Sequence, residues 1–328
     1  MSAVSEAVTS SAMRTREATV RRFAFTDMVF RAATRASAIL VLVLLGGVAI
    51  SLVAGSWEAL SKFGFSFLTS EAWNPVTENF GALAPIYGTV VTSAIAIIIA
   101  VPIGIGIAVF LTELCPRPLR RPIGIAVELL AGIPSIIYGI WGLFVFAPFL
   151  QTTIQPFIIN IFHGIPGLSS LFAGPPYGIG LLTSSLILAI MVLPFITSIT
   201  KDVFDTVPAV LKESAYGIGC TTWEVTRRVV IPYTRVGIMG GVMLGLGRAL
   251  GETMAVTFVI GNAHRISASL FAPGTTISAT IANEFTEADG SIYTSSLVAL
   301  GLILFIITFI ILALARYMLL RIDSRTGA

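Results

Sequence analysis

Long apolar stretches dominate the chain, and shorter polar segments separate them. Six stretches hold about 20 or more mostly apolar residues each, which is the length an α-helix needs to cross a bilayer. They cover residues 37–55, 86–111, 123–148, 178–200, 236–261 and 293–315. Strand-like alternation over blocks of about ten residues is absent from the sequence, so a membrane β-barrel is not indicated. Because lipid-exposed backbone must satisfy its own hydrogen bonds, the pattern predicts an all-α integral membrane protein with six transmembrane helices.

The composition supports a membrane protein and excludes two other classes. Of the 328 residues, 55% are hydrophobic and only 11% are charged, whereas a soluble surface needs roughly 25–35% charged side chains. A water-soluble enzyme is therefore excluded, and the abundance of apolar residues excludes a disordered chain. The formal net charge of +3 gives no indication of nucleic-acid binding.

The basic residues are distributed unequally between the two sides of the predicted helices. Seventeen of the 20 precede the first stretch, follow the sixth, or lie between the second and third or the fourth and fifth. Lys62 and Arg265 lie on the opposite side, and Arg248 lies inside the fifth stretch. Since positive residues stay cytoplasmic, the pattern predicts a cell-membrane protein with both termini in the cytoplasm. Cys115 and Cys220 would then face a reducing compartment, which agrees with an unpaired state.

The same pattern predicts the organisation of the chain. Residues 1–36 are expected to form a cytoplasmic, partly disordered segment, residues 37–321 the six-helix domain, and residues 322–328 a cytoplasmic tail. Glu128 would lie a turn and a half into the third stretch, where it could neutralise a cation, line a path or lie at the cytoplasmic edge.

The third outer loop, about residues 262–292, is acidic. It contains Glu284, Glu287 and Asp289, which could dock a binding partner or simply be solvated. His264 is expected at the surface of this loop rather than in a metal site.

The polar segment between the fourth and fifth stretches predicts two short helices. Pro208 suits the first turn of the first helix, and the segment 217–219 suits its end because its glycines accept left-handed backbone. Thr221 lies three residues before Glu224, which is the spacing of a capping box at the start of a second helix. Pro232 is expected to end that helix.

This loop, residues 205–235, resembles the EAA loop of importer permeases in the ATP-binding-cassette class. The pattern there is E-A-A, three residues, Gly, nine residues, Ile, one residue, Leu and Pro. The matching residues are Glu213, Ser214, Ala215, Gly219, Val229, Ile231 and Pro232. The resemblance implies docking onto a separate ATPase subunit. Because the chain has no G-x-x-x-x-G-K-[ST] loop, ATP and magnesium are expected on that partner, and no cofactor or metal on this chain.

Two ionisable residues lie inside the fifth stretch. Arg248 is the thirteenth of its 26 residues, and Glu252 follows one helical turn later on the same face. An arginine at the bilayer centre costs about 2.5–3.5 kcal/mol, whereas an i,i+4 ion pair returns only about 0.2–0.5 kcal/mol. Two interpretations remain open: an interhelical ion pair that fixes packing, or an anion site in a translocation path. The guanidinium fork matches two oxygens of phosphate or a similar oxyanion.

The sequence around this pair, residues 247–262, resembles the fifth-helix segment of the PstC-type permease subunits of bacterial phosphate importers. The segments FGALAPIYGT (80–89) and ELLAGIPSIIYGIWG (128–142) agree with it. The resemblance implies a type I ABC importer permease for inorganic phosphate, with Arg248 and Glu252 in the substrate path. Its implied partners are a homologous PstA-type permease subunit in a heterodimer, an ATPase dimer and an extracytoplasmic phosphate-binding protein.

Other functions stay open at this point. Arginine chemistry does not separate phosphate from sulfate or molybdate, so a permease for another oxyanion is the main alternative. An intramembrane enzyme would need a nucleophile and a base at membrane depth, but both histidines lie in predicted loops. An ion channel would leave the 205–235 loop unexplained. The expectation is therefore a transporter subunit and not an enzyme.

Overall fold

The computed structural model describes residues 2–162, 164–165 and 167–324, without the side chains at 2–22, 24–25, 168, 318, 320 and 322–324. The chain divides into two compact units, Met1–Ala54 and Gly55–Ala328. Residues 325–328 of the predicted tail lie outside the described residues. The predicted domain boundaries, including a partly disordered segment at 1–36, stay predictions.

Helices form nearly all of the described chain. The α-helices are α1 (Ser2–Phe63), α2 (Ser66–Thr69), α3 (Leu83–Val109), α4 (Arg117–Ala131), α5 (Ser135–Trp141), α6 (Ala147–Phe149), α7 (Gln155–Phe162), α8 (Leu168–Leu171), α9 (Leu181–Asp205), α10 (Ala209–Gly217), α11 (Thr222–Val225), α12 (Ile231–Leu250), α13 (Met254–Ile260), α14 (Ile277–Glu284) and α15 (Ser291–Ser324). Short π-helical segments continue some of these helices at Phe110–Leu114, Gly142–Phe146, Leu150–Ile154 and Thr226–Val230. A small antiparallel hairpin pairs β1 (Trp73–Asn74) with β2 (Asn79–Phe80).

Six helical stretches of the described residues are long and apolar enough to cross a membrane. They are Thr26–Phe63, Leu83–Leu114, Ser135–Phe162, Leu181–Asp205, Thr222–Leu250 and Ser291–Tyr317. The predicted all-α class and the number of membrane-spanning helices are therefore confirmed. Four of the six overlap closely with the predicted stretches, and the third and fifth do not.

The predicted third span, 123–148, is wrong in position. Its first part belongs to α4, an amphipathic helix that starts at Arg117, and the span itself runs over Ser135–Phe162. The helix breaks between Ala131 and Ser135 because Pro134 disfavours helical backbone at the residue before it. Glu128 therefore lies on α4 outside the span, where its carboxylate pairs with Lys201 at 2.7 Å.

The predicted fifth span, 236–261, is also wrong at both ends. The predicted stop at Pro232 does not occur, because Pro232 is the second residue of α12, which directly follows a π-helical segment. A proline is tolerated in a first turn, where its missing N–H is not needed. At the other end α12 stops at Leu250, and α13 begins only at Met254. Residues 222–250 are therefore one helical stretch. It begins inside the EAA-like loop at residues 205–235, which is called the coupling loop.

Helix α9 forms the centre of the second unit. In the most apolar 18-residue stretch of α9, 61% of the residues are buried, compared with 28% in that of the span that contains α3. The buried core joins α9 to small or branched side chains of α3, α12 and α13, and includes Ala96, Ala100, Ile187, Leu188, Met191, Val192, Ile196, Ala249, Ala255 and Val259. This helix therefore provides the rigid surface against which α12 and α13 are placed.

Three glycines at four-residue spacing set the packing of α12 on α9. A Cβ atom at Gly237 would lie 2.5 Å from Cγ1 of Val203, and one at Gly245 would lie 2.8 Å from Cγ1 of Val192. At Gly241 the nearest atom would be Cγ2 of Ile199, at 3.1 Å. Small residues at this spacing let two membrane helices approach closely. Larger side chains here would push α12 away from α9.

Candidate functional site

Arg248 lies in the last turn of α12, and no carboxylate of the described residues pairs with it. Its Nε atom is buried and has no hydrogen-bond partner among the described residues. The Cζ atom lies 4.6 Å from the centre of the Phe195 ring of α9. Within the described part of the chain, no carboxylate oxygen lies within ion-pair distance of the guanidinium. Among the described residues, Arg248 therefore makes no ion pair with another helix.

The contacts of Arg248 do not fully offset the cost of its position. A cation over an aromatic ring contributes about 0.5–2 kcal/mol, and a cation at a helix C-terminus about 0.3–1 kcal/mol. A buried donor without a partner costs about 1–3 kcal/mol, and the position of an arginine within a membrane span adds to that cost. Arg248 therefore remains a cation without a carboxylate partner among the described residues.

Glu252 does not share a helical face with Arg248, contrary to the prediction. The break after Leu250 removes Glu252 from α12, and its side chain is only 8% exposed. One carboxylate oxygen accepts a hydrogen bond from the backbone N–H of Ala255 at 3.2 Å, in the first turn of α13. A carboxylate is favoured at a helix N-terminus. Glu252 thus has a local structural role, and the guanidinium of Arg248 is left free.

The glycine of α5 holds α13 close to this break. A Cβ atom at Gly139 would lie 2.8 Å from Cδ2 of Phe258 and 3.1 Å from Cα of Ala255. The two helices therefore approach closely, and the missing side chain of Gly139 leaves room for the Phe258 ring and the backbone of α13. This contact fixes the start of α13, and with it the position of Glu252.

The coupling loop has the predicted helix–turn–helix form. Helix α10 ends at Gly217, and Gly219 has a φ of +90°, which glycine adopts without strain. The capping box at Thr221 is confirmed: its side chain accepts from the backbone N–H of Glu224, whose carboxylate accepts from the backbone N–H of Thr221. Local sequence signals therefore located this element correctly, except for the expected stop at Pro232.

The residues of the EAA-like pattern divide between an anchored side and an exposed side. Ala215 is buried, and Val229 and Ile231 are half-buried against the same apolar cluster. Glu213, Ser214, Gly219 and Pro232 are exposed. The cluster joins the loop to the ends of α3 and α9, and its buried members are Ala108, Phe204, Val207, Ala215, Val225, Val230 and Ile238.

The solvent-exposed surface of the coupling loop carries several apolar side chains. Ile218 is 84% exposed and Trp223 63% exposed. Val210, Leu211 and Tyr216 are exposed as well. Apolar residues grouped on an exposed surface mark an interaction site.

An ion pair connects the coupling loop to the end of the α3 span. Nζ of Lys212 in α10 lies 2.6 Å from Oε1 of Glu113, in the π-helical end of the α3 span. Both side chains are largely buried, with 21% and 8% exposed. A buried pair resists separation because each charge would be left without a partner. The loop and the end of this span are therefore expected to move together.

Comparison with known proteins identifies the family. Residues 100–324 match the model for the "Binding-protein-dependent transport system inner membrane component" family. The chain belongs to this family. A phosphate transport system permease protein PstC of Mesorhizobium japonicum is 85% identical over 328 residues, which are all of both chains. The protein of the same name from Pasteurella multocida is 58% identical over 301 residues, or 92% of this chain and 94% of that one.

Solved structures confirm the type I importer fold. A chain of a bacterial ABC transporter that imports the polysaccharide alginate superposes with a TM-score of 0.57 and is 17% identical, covering 90% of this chain and 96% of that one. A chain of the MetNI methionine ABC transporter gives a TM-score of 0.52 at 17% identity, covering 73% and 94%. At this identity the likeness concerns the fold alone. As a member of its family, the chain is a multi-pass membrane component of a transport system and not an enzyme.

A half-buried polar cluster between the β-hairpin, α14 and the start of α15 was not predicted from the sequence. The carboxylate of Glu284 accepts hydrogen bonds from Trp73 Nε1 at 2.6 Å and from the Tyr293 hydroxyl at 2.7 Å. Its other oxygen lies 2.8 Å from Nε2 of His264. The His264 ring stacks on Trp73, with centroids 5.1 Å apart. His264 is therefore not the surface residue that was predicted.

The surroundings of Glu284 lower the pKa of its carboxyl group. Burial alone would raise the pKa of the carboxyl, but hydrogen bonds from His264, Tyr293 and Trp73 lower it below its usual value. A depressed folded-state pKa stabilises the fold above the unfolded-state pKa of about 4.3. That contribution is lost as pH falls through the folded-state value.

Replacing Glu284 by glutamine should reduce the stability of the outer loops near neutral pH. We expect a cost of about 1.5–3 kcal/mol, because hydrogen bonds to a charged carboxylate become hydrogen bonds to a neutral amide. The variant should also lose part of the destabilisation that the natural protein shows below about pH 4.3. Thermal unfolding of the detergent-solubilised protein from pH 3 to 7 measures both effects.

Glu287→Gln is the matched control, since Glu287 is an exposed carboxylate three residues away. It should leave the unfolding temperature and its pH dependence unchanged. Equal unfolding curves for Glu284→Gln and Glu287→Gln would show that the half-buried cluster contributes nothing.

Proposed function

We propose that this chain is a permease subunit of an ATP-driven importer of inorganic phosphate and forms part of its translocation path. The observation that carries the proposal is its 85% identity, over the full length, with a protein named as a phosphate transport permease. The unneutralised guanidinium of Arg248 supports it, because a travelling oxyanion would supply the missing negative charge.

Arg248 is the residue that would contact phosphate in this path. Its fork can donate two parallel hydrogen bonds to phosphate oxygens. Glu252 lies four residues on, bound to the N-terminus of α13. Its negative charge would oppose tight retention of the anion, which favours release over storage.

The coupling loop would transmit the motion of a separate ATPase dimer, which binds ATP and magnesium. The exposed apolar side chains around Ile218 and Trp223 provide a docking surface. The helical stretch Thr222–Leu250 runs from this surface to Arg248 without a break. At 1.5 Å per residue, these two ends lie about 40 Å apart along the helix. A push on the loop would therefore reach the arginine through one rigid element.

The remaining partners follow from the family. The chain would pair with a homologous PstA-type permease subunit in a heterodimer, and an extracytoplasmic phosphate-binding protein would deliver the anion. Supporting this, the family is defined by dependence on a binding protein, and a related alginate importer was solved in complex with a substrate-bound periplasmic protein.

Competition between oxyanions tests the cargo. The importer, reconstituted with its ATPase and binding protein in vesicles, should take up labelled phosphate, and excess unlabelled phosphate should suppress that uptake. Sulfate and molybdate at the same concentration should leave it unchanged. Suppression by sulfate or molybdate at concentrations as low as phosphate requires would favour the alternative, a permease for another oxyanion.

Thiol labelling tests the orientation of the chain. With both termini in the cytoplasm, Cys220 in the coupling loop should react with a charged, membrane-impermeant reagent only from the cytoplasmic side. The experiment uses a Cys115→Ser background so that a single thiol remains. Arg265→Cys, placed in a background without either natural cysteine, should react from the outside only. Labelling of Cys220 from outside would overturn the topology.

A further inference from the structure

A basic cavity lies between α4 and α9, on elements that the proposed transport path does not use. Its volume is about 380 Å³. Four basic side chains line it together with one carboxylate and one apolar residue: Arg117, Arg120, Arg121, Lys201, Glu128 and Ile125. Such an excess of positive charge in a small space is unfavourable unless an anion shares it.

Internal ion pairs neutralise only half of these cations. Lys201 pairs with Glu128 at 2.7 Å, and Arg120 pairs with Asp205 at 2.5 Å. Arg117 and Arg121 have no hydrogen-bond or ion-pair partner within the described ranges. Two guanidinium groups therefore remain available to a ligand.

The placement of these arginines on α4 adds to the imbalance. Arg117 is the first residue of the helix, and no acidic residue lies in its first turn. Cations near a helix N-terminus are disfavoured by the helix dipole, which favours an anion there. An oxyanion between the two arginines would satisfy both the side chains and the helix end.

The other side of α4 is apolar and exposed. Leu119 is 52% exposed and Leu129 is 69% exposed, and Ile125 at the cavity edge is 49% exposed. A helix with basic side chains next to an exposed apolar surface is typical of the membrane interface, where lipid phosphates lie. The combination places a phosphate-matching cavity beside a surface suited to acyl chains.

We propose that this cavity binds a phosphate group through Arg117 and Arg121. The group is carried by an anionic lipid headgroup or is free inorganic phosphate, and in both cases the arginine forks hold its oxygens. The site does not depend on Arg248 or on the cargo. Its failure would leave the transport proposal unaffected.

Two binding measurements on the intact importer complex distinguish the sources. In the first, native mass spectrometry counts retained phosphatidylglycerol, with phosphatidylcholine as the lipid of no net charge. In the second, equilibrium dialysis measures inorganic phosphate in an Arg248→Gln background, so that the proposed path does not contribute. The variant is Arg117→Gln/Arg121→Gln. The control is Arg35→Gln/Arg316→Gln, which removes the same charge from exposed arginines elsewhere.

The double variant should lose at least about tenfold in affinity for one of the two probes, because two charge-assisted contacts disappear. The control should keep its affinity, and the affected probe identifies the source. Glu128→Gln should bind the same probe several-fold more tightly, because it leaves Lys201 unpaired, and misfolding cannot produce that gain. The proposal is overturned if neither probe binds, or if the double variant and the control bind equally.

Discussion

Phosphate uptake by the reconstituted importer is expected to fall by about 100-fold or more when Arg248 is replaced by glutamine. Two hydrogen bonds to a charged group are worth about 1.5–3 kcal/mol each, and about 1.4 kcal/mol corresponds to a factor of ten. Glutamine has no positive charge and no fork. Arg248→Lys should give an intermediate rate, since it keeps the charge and loses the bidentate geometry. Initial rates of labelled phosphate uptake measure all three proteins.

Two controls separate loss of the anion site from loss of the fold. Arg265→Gln removes an exposed outer-loop arginine and should leave uptake unchanged. The Arg248 variants should co-purify with their partner subunits in normal amounts, because removing a half-buried cation that makes no ion pair among the described residues does not leave a carboxylate without its partner. Wild-type uptake by Arg248→Gln would remove Arg248 from the substrate path.

The second large effect is expected at the turn of the coupling loop. Gly219→Val should reduce ATPase stimulation by the loaded binding protein by about tenfold, together with transport. At a φ of +90° a β-branched residue is strained, and left-handed backbone costs about 1–2 kcal/mol for residues other than glycine. The turn would relax and move Ile218 and Trp223 away from the positions that suit docking. ATPase activity and uptake, measured on the same vesicles, should fall in parallel.

Gly217→Val is the matched control for this substitution. Gly217 is also exposed, and a Cβ atom there meets nothing within 4 Å, but its backbone is helical. Valine at this position should cost nothing in helix propensity, because glycine is the poorer helix former, and should leave coupling nearly normal. Equal losses at both glycines would show that side-chain bulk matters there and backbone conformation does not.

Local signals predicted the coupling loop well because each part depends on residues close in sequence. The Thr221–Glu224 capping box and the left-handed Gly219 were both confirmed. The continuation through Pro232 was missed because a π-helical segment precedes it, and sequence periodicity does not reveal such a segment. Pro134 indicates a helix break in the sequence. The break was nevertheless not predicted, because the apolar stretch continues across it.

The sites that depend on distant residues could not be predicted. Trp73, His264, Glu284 and Tyr293 come from separate segments, and only their packing makes a half-buried cluster of them. The basic cavity likewise required α4 to leave the predicted third span and lie against the end of α9. The predicted placement of Arg248 and Glu252 on one helical face required a continuous helix. That prediction was wrong because α12 ends at Leu250.

The sequence by itself determined that this protein is helical and crosses a membrane, because apolar length and scarcity of charge leave its backbone no other way to satisfy its hydrogen bonds in lipid. It also determined the coupling loop, through caps and glycines that act within a few residues. Only the tertiary structure decided that α12 ends before Glu252 and that, among the described residues, no carboxylate pairs with Arg248. Those outcomes depend on which side chains from distant segments meet, such as Gly139 against α13 and Phe195 beneath the guanidinium.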